Sequence, residues 1–258
     1  MNINFKNKKI LITGGSEGIG KKIVFDFLKL DGEVIIADKK KPEFLNRLKK
    51  NKNLNFIKCN FLKDNEVNLL LTKLSSIDID ILINNARFKS KNTNKLNNFK
   101  DNLKLDLQFH FLLSEKLIKD AIKKNKNFKI CNISSISSKL ISAQSPAYHF
   151  SKSSINSMTK YFSIKYGKKN INVNAILPGF ILQERFVQKF NSSKNIAYKR
   201  KVLKVLPYSR CGTEGDVSNL VLFLSSSYSN FINGENIILD GGACNQDQFS
   251  LLLDYDKK

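Results

Sequence analysis

Three side chains carry the groups that carbonyl chemistry needs: Ser135, Tyr148 and Lys152. A hydroxyl can hold the carbonyl oxygen, a phenol can exchange its proton, and an ammonium makes the phenol more acidic by favouring phenolate. Tyr148 and Lys152 are four positions apart, so on a helix they share one face. Pro146 suits the first turn of that helix, where its missing N–H costs nothing. Residues 130–133 read as a short buried strand with the serines at its end. Tyr161 and Lys165 repeat the offset without a serine thirteen residues upstream, and two residues of a plain helix account for them.

Near the N-terminus, residues 9–12 read as an apolar strand, followed by Thr13-Gly14-Gly15-Ser16-Glu17-Gly18-Ile19-Gly20. An amphipathic helix is predicted from Gly18 to about Leu30, apolar at Ile23, Val24, Phe27 and Leu28. A glycine-rich turn between strand and helix lets backbone approach a pyrophosphate, and the helix N-terminus favours its charge. The spacing is Gly-x-x-x-Gly-x-Gly rather than Gly-x-Gly-x-x-Gly, and a plain turn is the competing reading. The preceding strand and Asp38, eighteen residues beyond Gly20, weigh against that plainer account.

Together these stretches resemble the classical short-chain dehydrogenase/reductase family over nearly the whole chain. Asn84-Asn85-Ala86, Asn174-Ala175-Ile176-Leu177-Pro178-Gly179, residues 210–216 and Asp240-Gly241-Gly242 match in family order. The resemblance implies a Rossmann-like, doubly wound α/β fold with a mostly parallel seven-stranded sheet and helices on both faces. It implies one domain over 1–258, with a substrate lid at 184–207 and a C-terminal tail at 243–258. The tail is expected to be oligomer contact or disordered, or its Gln246, Asp247 and Phe249 to border a neighbouring active site.

By the same resemblance, hydride passes between NAD(H) and a secondary alcohol/ketone pair. Tyr148 exchanges the proton, Ser135 bonds the carbonyl and Lys152 bonds the nicotinamide ribose. Asp106 stands where the family has an Asn that relays protons to the lysine; it either preserves the relay or, as a buried carboxylate, alters the lysine. Gly14, Ser16, Glu17, Gly18, Ile19 and Gly20 correspond to the diphosphate turn, and Asp38 to the acid on the adenosine ribose. Asn60, in place of the usual Asp, and Phe61 flank the adenine. Asn85 and Ala86 lie at a strand end under the cofactor, and Pro178, Gly179 and Ile181 over its nicotinamide. Asp38 and Glu17 oppose the extra phosphate of NADP while Lys39, Lys40 and Lys41 would welcome it, so NAD is favoured and NADP is the alternative. Arg87 replaces a usual Gly; it either holds an anionic substrate group or points to solvent. His149 and Arg185 are further substrate candidates. The basic lid points to an anionic substrate such as a sugar, nucleotide sugar or hydroxy-acid derivative.

Composition bounds these readings. The formal charge is +22, from 44 Lys and Arg against 22 Asp and Glu. A nucleic-acid or anionic-membrane surface would produce such a balance. Yet lysine is spread along the whole chain and Arg occurs only five times, which favours a solvated surface and no specific nucleic acid. A catalytically silent basic binding protein on the same fold is the reading of another class. The four cysteines lack metal-ligand spacing, so no metal is expected, and reduced thiols in a cytoplasmic protein are the simplest account. No run approaches the ~18 apolar residues of a membrane span, and residues 10–12 are too short for a signal peptide. A homodimer or homotetramer acting on a small molecule is the implied assembly.

Overall fold

Runs of Ile, Val and Leu between turn residues build seven strands, and the segments between them fold as helices, in the computed structural model, which describes residues 2–48, 51–89 and 95–247. The strands are β1 Lys9–Thr13, β2 Glu33–Asp38, β3 Leu54–Lys58, β4 Ile81–Asn84, β5 Phe128–Ile133, β6 Ile171–Pro178 and β7 Asn236–Leu239. They form one sheet in the order β3-β2-β1-β4-β5-β6-β7. Every pair is parallel, so the sheet is wholly parallel where a mostly parallel one was expected. Parallel pairing demands crossover connections, which cover both faces and leave the central strands apolar on both sides.

Alternate strand residues feed two cores. On one face Leu11, Leu82 and Ile130 pack under α3 (Asp64–Leu74), α5 (His110–Lys123) and α6 (Pro146–Tyr166). On the other, Ile10, Ile12, Ile36 and Ile83 pack under α1 (Gly18–Lys29) and α9 (Glu214–Ser225). The remaining helices are α2 (Phe44–Arg47), α4 (Lys95–Leu103), α7 (Glu184–Asn191) and α8 (Ile196–Val205). α9 starts at a reciprocal cap: Thr213 Oγ1 accepts the Asp216 N–H while Asp216 accepts the Thr213 N–H.

Apolar positions at Phe99, Leu103, Leu107, Phe111, Leu113 and Leu117 predict one long helix over 99–122, but the helix is not continuous. Lys104–Phe109 winds as a π-helix between α4 and α5, with Asp106 fully buried on it. Such widened turns recur at functional sites.

A chain of polar side chains crosses the otherwise apolar face beneath α6. Asn84 Nδ2 donates to Ser114 Oγ (2.9 Å) and to Asn132 Oδ1 (2.8 Å). Asn132 Nδ2 donates in turn to Thr159 Oγ1 on α6 (2.9 Å), whose hydroxyl donates to the Ile155 carbonyl (2.8 Å). Cys59, Cys131, Cys211 and Cys244 are free thiols, and burial pushes Cys59 and Cys131 up to about 12. No described helix is long and apolar enough to cross a membrane.

Candidate active site

In an open parallel sheet, ligands bind at the carboxyl ends of the strands where the chain order reverses. Here that point lies between β1 and β4, and a cavity of about 780 Å³ opens above it.

The floor is the turn after β1. Gly14 (φ +68°) and Gly18 (φ +57°) occupy left-handed conformations that favour glycine. A Cβ on Gly14 would lie 2.8 Å from the Ala86 Cα, and one on Gly20 would lie 2.2 Å from the Gly14 carbonyl oxygen. Thr13 and Asn85 fix this turn against the β4 end. Thr13 Oγ1 accepts the N–H groups of Asn85 (3.0 Å) and Ala86 (3.1 Å), and Asn85 Nδ2 donates to the Gly14 carbonyl (2.8 Å). The α1 N-terminus, uncapped by any side chain, faces the cavity through Gly18, Ile19 and Gly20. A bare backbone floor ending in free helix N–H groups fits a dinucleotide diphosphate.

Asp38, Asn60 and Phe61, expected at the adenosine, also line the cavity. Asp38 accepts the N–H groups of Ser16 (3.2 Å) and Lys39 (2.7 Å). Asn60 Oδ1 accepts the Leu62 N–H (3.2 Å), and Phe61 stacks on Phe109 with centroids 4.1 Å apart. Pro178, at the end of β6, and Gly179 and Ile181 beyond it line the cavity as well.

Ser135, Tyr148 and Lys152 meet in the same cavity. Ser135 lies two residues past the end of β5 and is 8% exposed; its Oγ accepts the Ser137 N–H (3.1 Å), leaving its own proton to donate. Ser145 caps α6 and Pro146 opens it, so Tyr148 projects from the first turn. Lys152 is 2% exposed, donates to the Ile133 carbonyl (3.0 Å), and its Nζ lies 5.7 Å from the Tyr148 ring centroid. Tyr161, by contrast, is exposed on α6.

Asp106 lies behind this wall rather than on it. Its Oδ1 accepts the Phe88 N–H (2.5 Å), which ties down the loop carrying Arg87, and its Oδ2 has no hydrogen-bond partner. Burial raises its carboxyl above the ordinary 3.8, against the opposing pull of Lys152, the Phe88 N–H and Arg87. One turn on, burial and the Lys152 charge push buried His110 down to about 3, so that imidazole is neutral.

The substrate candidates fare differently. Arg87 is exposed and lines the cavity, with no salt bridge to any described residue. His149 is turned away: its ring contacts Ser142 and the Ser145 carbonyl, and it does not line the cavity. Arg185 is also off this wall. It lines an adjoining cavity of about 430 Å³ with Ser16, and its Nη1 donates to Glu17 (2.8 Å). Lys89, Asn98, Asp101 and Gln144 also line the main cavity, and nothing in the motifs marked them. Phe249 lies outside the described residues. Among the described residues no cluster of His, Cys, Asp or Glu could hold a metal ion.

The family model described as enoyl-(acyl carrier protein) reductase matches residues 14–244. The 3-oxoacyl-[acyl-carrier-protein] reductase FabG of Rickettsia typhi is 34% identical over 246 residues, covering 93% of this chain and 98% of its own. A short-chain dehydrogenase of Leptospira borgpetersenii, solved with bound NAD+, superposes with a TM-score of 0.81 at 28% identity, covering 93% of this chain and 94% of that one. ElxO, solved with NADP bound, gives 0.82 at 27% identity, covering 93% and 99%. Fold, glycine turn and relatives agree, and the chain belongs to the classical short-chain dehydrogenase/reductase family, oxidoreductases acting on CH–OH groups.

Proposed function

We propose that this oxidoreductase moves hydride reversibly between NAD(H) and a secondary alcohol/ketone pair whose substrate carries an anionic group. The observation that carries the reading is that Ser135, Tyr148 and Lys152, from separate turns, line one cavity with Gly14, Gly18 and Gly20. When bound, the nicotinamide supplies the hydride in the direction of reduction. The Ser135 hydroxyl donates to the carbonyl oxygen, and the Tyr148 phenol delivers the proton that makes it an alcohol. The Lys152 ammonium, buried and held by the Ile133 carbonyl, stabilises the phenolate left behind and keeps N–H groups for the nicotinamide ribose. Arg87, which lines the cavity, pairs with the substrate's anionic group in this reading. Exposed apolar side chains on α5 and α6, among them Phe111, Phe150 and Ile164, support a homodimer or homotetramer.

Tyr148→Phe removes the proton donor and little else. Its turnover should fall by at least about a hundredfold while NADH still binds. Unchanged turnover on any accepted substrate refutes the mechanism.

The choice of NAD rests on Asp38, a carboxylate on the walls of both cavities that would repel a ribose phosphate. NADPH is the second reading, favoured by Lys39, Lys40, Lys41 and Arg47 around the adjoining cavity. Wild-type protein should bind NADH more tightly than NADPH, and Asp38→Ala should shift that preference toward NADPH by about tenfold, about 1.4 kcal/mol. Tighter NADPH binding by the wild type would reverse the assignment.

A further inference from the structure

Two cations from distant parts of the chain converge on one carboxylate in the glycine turn. Lys89, from the loop after β4, and Arg185, from the first turn of α7, both pair with Glu17. Glu17 precedes Gly18 in extended conformation (φ −149°, ψ 166°), the position from which a side chain would cap α1. Its carboxylate caps nothing and turns outward to the cations instead. Lys89 and Glu17 lie on the wall of the main cavity, and Arg185 shares the adjoining cavity with Glu17 and Gly18. The Lys89 hydrogen bond, foremost, holds the Glu17 carboxyl below its ordinary range.

We infer that Lys89 and Arg185 are clamps for the dinucleotide diphosphate, and that Glu17 holds them in place until the ligand's phosphates replace its carboxylate. The inference rests on the dinucleotide reading above and adds two binding residues outside the glycine turn. Charge favours the exchange: one carboxylate leaves one positive charge uncompensated on the two cations, whereas a diphosphate brings about two negative charges. Arginine suits bidentate phosphate contact and lysine supplies a mobile point charge. Little is lost on release, because the Glu17 side chain is 55% exposed and exposed ion pairs are weak. The ligand also meets the free N–H groups of α1, which Glu17 leaves unused. A bound diphosphate would thereby draw α7 and the β4 loop together over the turn.

The sign of one substitution separates this exchange from a static strut. If Glu17 is a placeholder, Glu17→Gln frees both cations, removes a repelling charge, and tightens binding. If the triad merely braces the loops, the same change loosens binding. Titration of the purified full-length protein by NADH fluorescence, at low and high salt, reads this directly. We expect Glu17→Gln to bind about three- to tenfold more tightly. Lys89→Met and Arg185→Met should each bind about tenfold less tightly, with a shallower salt dependence. ADP-ribose should follow the same pattern, and adenosine, lacking the diphosphate, should bind all four proteins alike. Weaker binding by Glu17→Gln, unchanged binding by both cation variants, or equal losses for adenosine would each overturn the clamp. A wild type that binds no dinucleotide overturns the proposed function as well, whereas binding that ignores these substitutions sinks the clamp alone.

Discussion

Asp106→Asn is the substitution whose effect on stability can be worked out with its sign. The carboxylate is fully buried, Oδ1 holds the Phe88 N–H, and Oδ2 has no partner. Asn fills the same volume, keeps an oxygen for Phe88 and removes the buried charge. Because burial raises the folded-state pKa above the ordinary 3.8, the folded protein binds this proton more tightly than the unfolded chain. Stability is therefore lost as pH rises from about 3.8 through the folded value, and then stays at the lower level. Asn does not titrate and escapes that loss. Asn puts an equally unpartnered NH2 where Oδ2 stood, so the gain is that of removing the buried charge, about 1.4 kcal/mol for each pH unit by which the folded pKa is raised. For a chain of this size each kcal/mol raises Tm by about 2–4 °C. The variant should thus melt higher than wild type at pH 8, with the gap closing as pH falls through the raised folded-state value and closed below about 3.8. Thermal unfolding followed by circular dichroism across that range checks it. A gap that is constant with pH, or a variant that melts lower at pH 8, would refute the reasoning, since either outcome means the Lys152 and Phe88 contacts outweigh burial.

Two more outcomes follow from contacts described above. Arg87→Met should raise KM for an anionic substrate by about tenfold, about 1.4 kcal/mol, and leave kcat unchanged, because the lost contact is made equally in ground and transition states; steady-state kinetics with charged and uncharged substrate pairs measure it. Asp216→Asn should cost about 1 kcal/mol at neutral pH by weakening the cap of α9. The Arg210 hydrogen bond, with help from Thr213, depresses the Asp216 pKa to about 2, so its contribution is present above 3.8 and lost as pH falls toward 2. The difference in denaturation midpoint should vanish at the acid end.

What could be read without coordinates was what local chemistry dictates. The short apolar runs at 9–12 and 130–133 located β1 and β5, and Pro146 announced the start of α6. β6 runs as far as Pro178, which cannot donate yet still pairs in register with Leu239. The break at Lys104–Phe109 was invisible, since the apolar spacing runs through it and only tertiary packing decides that Asp106 is buried there. His149 was expected at the substrate, but the Ser145 carbonyl and Ser142 claim its ring. Lys89 carried no mark at all. In a lysine-rich chain, a partner 72 positions away is fixed by topology and not by any local pattern.

The polar chain from Asn84 to Thr159 has a consequence for how the helix bearing Tyr148 and Lys152 finds its rotation. Aliphatic surfaces interlock by shape and tolerate small slips, but donors and acceptors have polarity. Each amide in this series hands a proton outward from β4 through β5 to α6. Turning α6 by one residue would point Thr159 away and strand the Asn132 amide inside a dry interior. The azimuth of that helix is thus written in a one-way code of hydrogen atoms, about three turns from the phenol whose aim it sets.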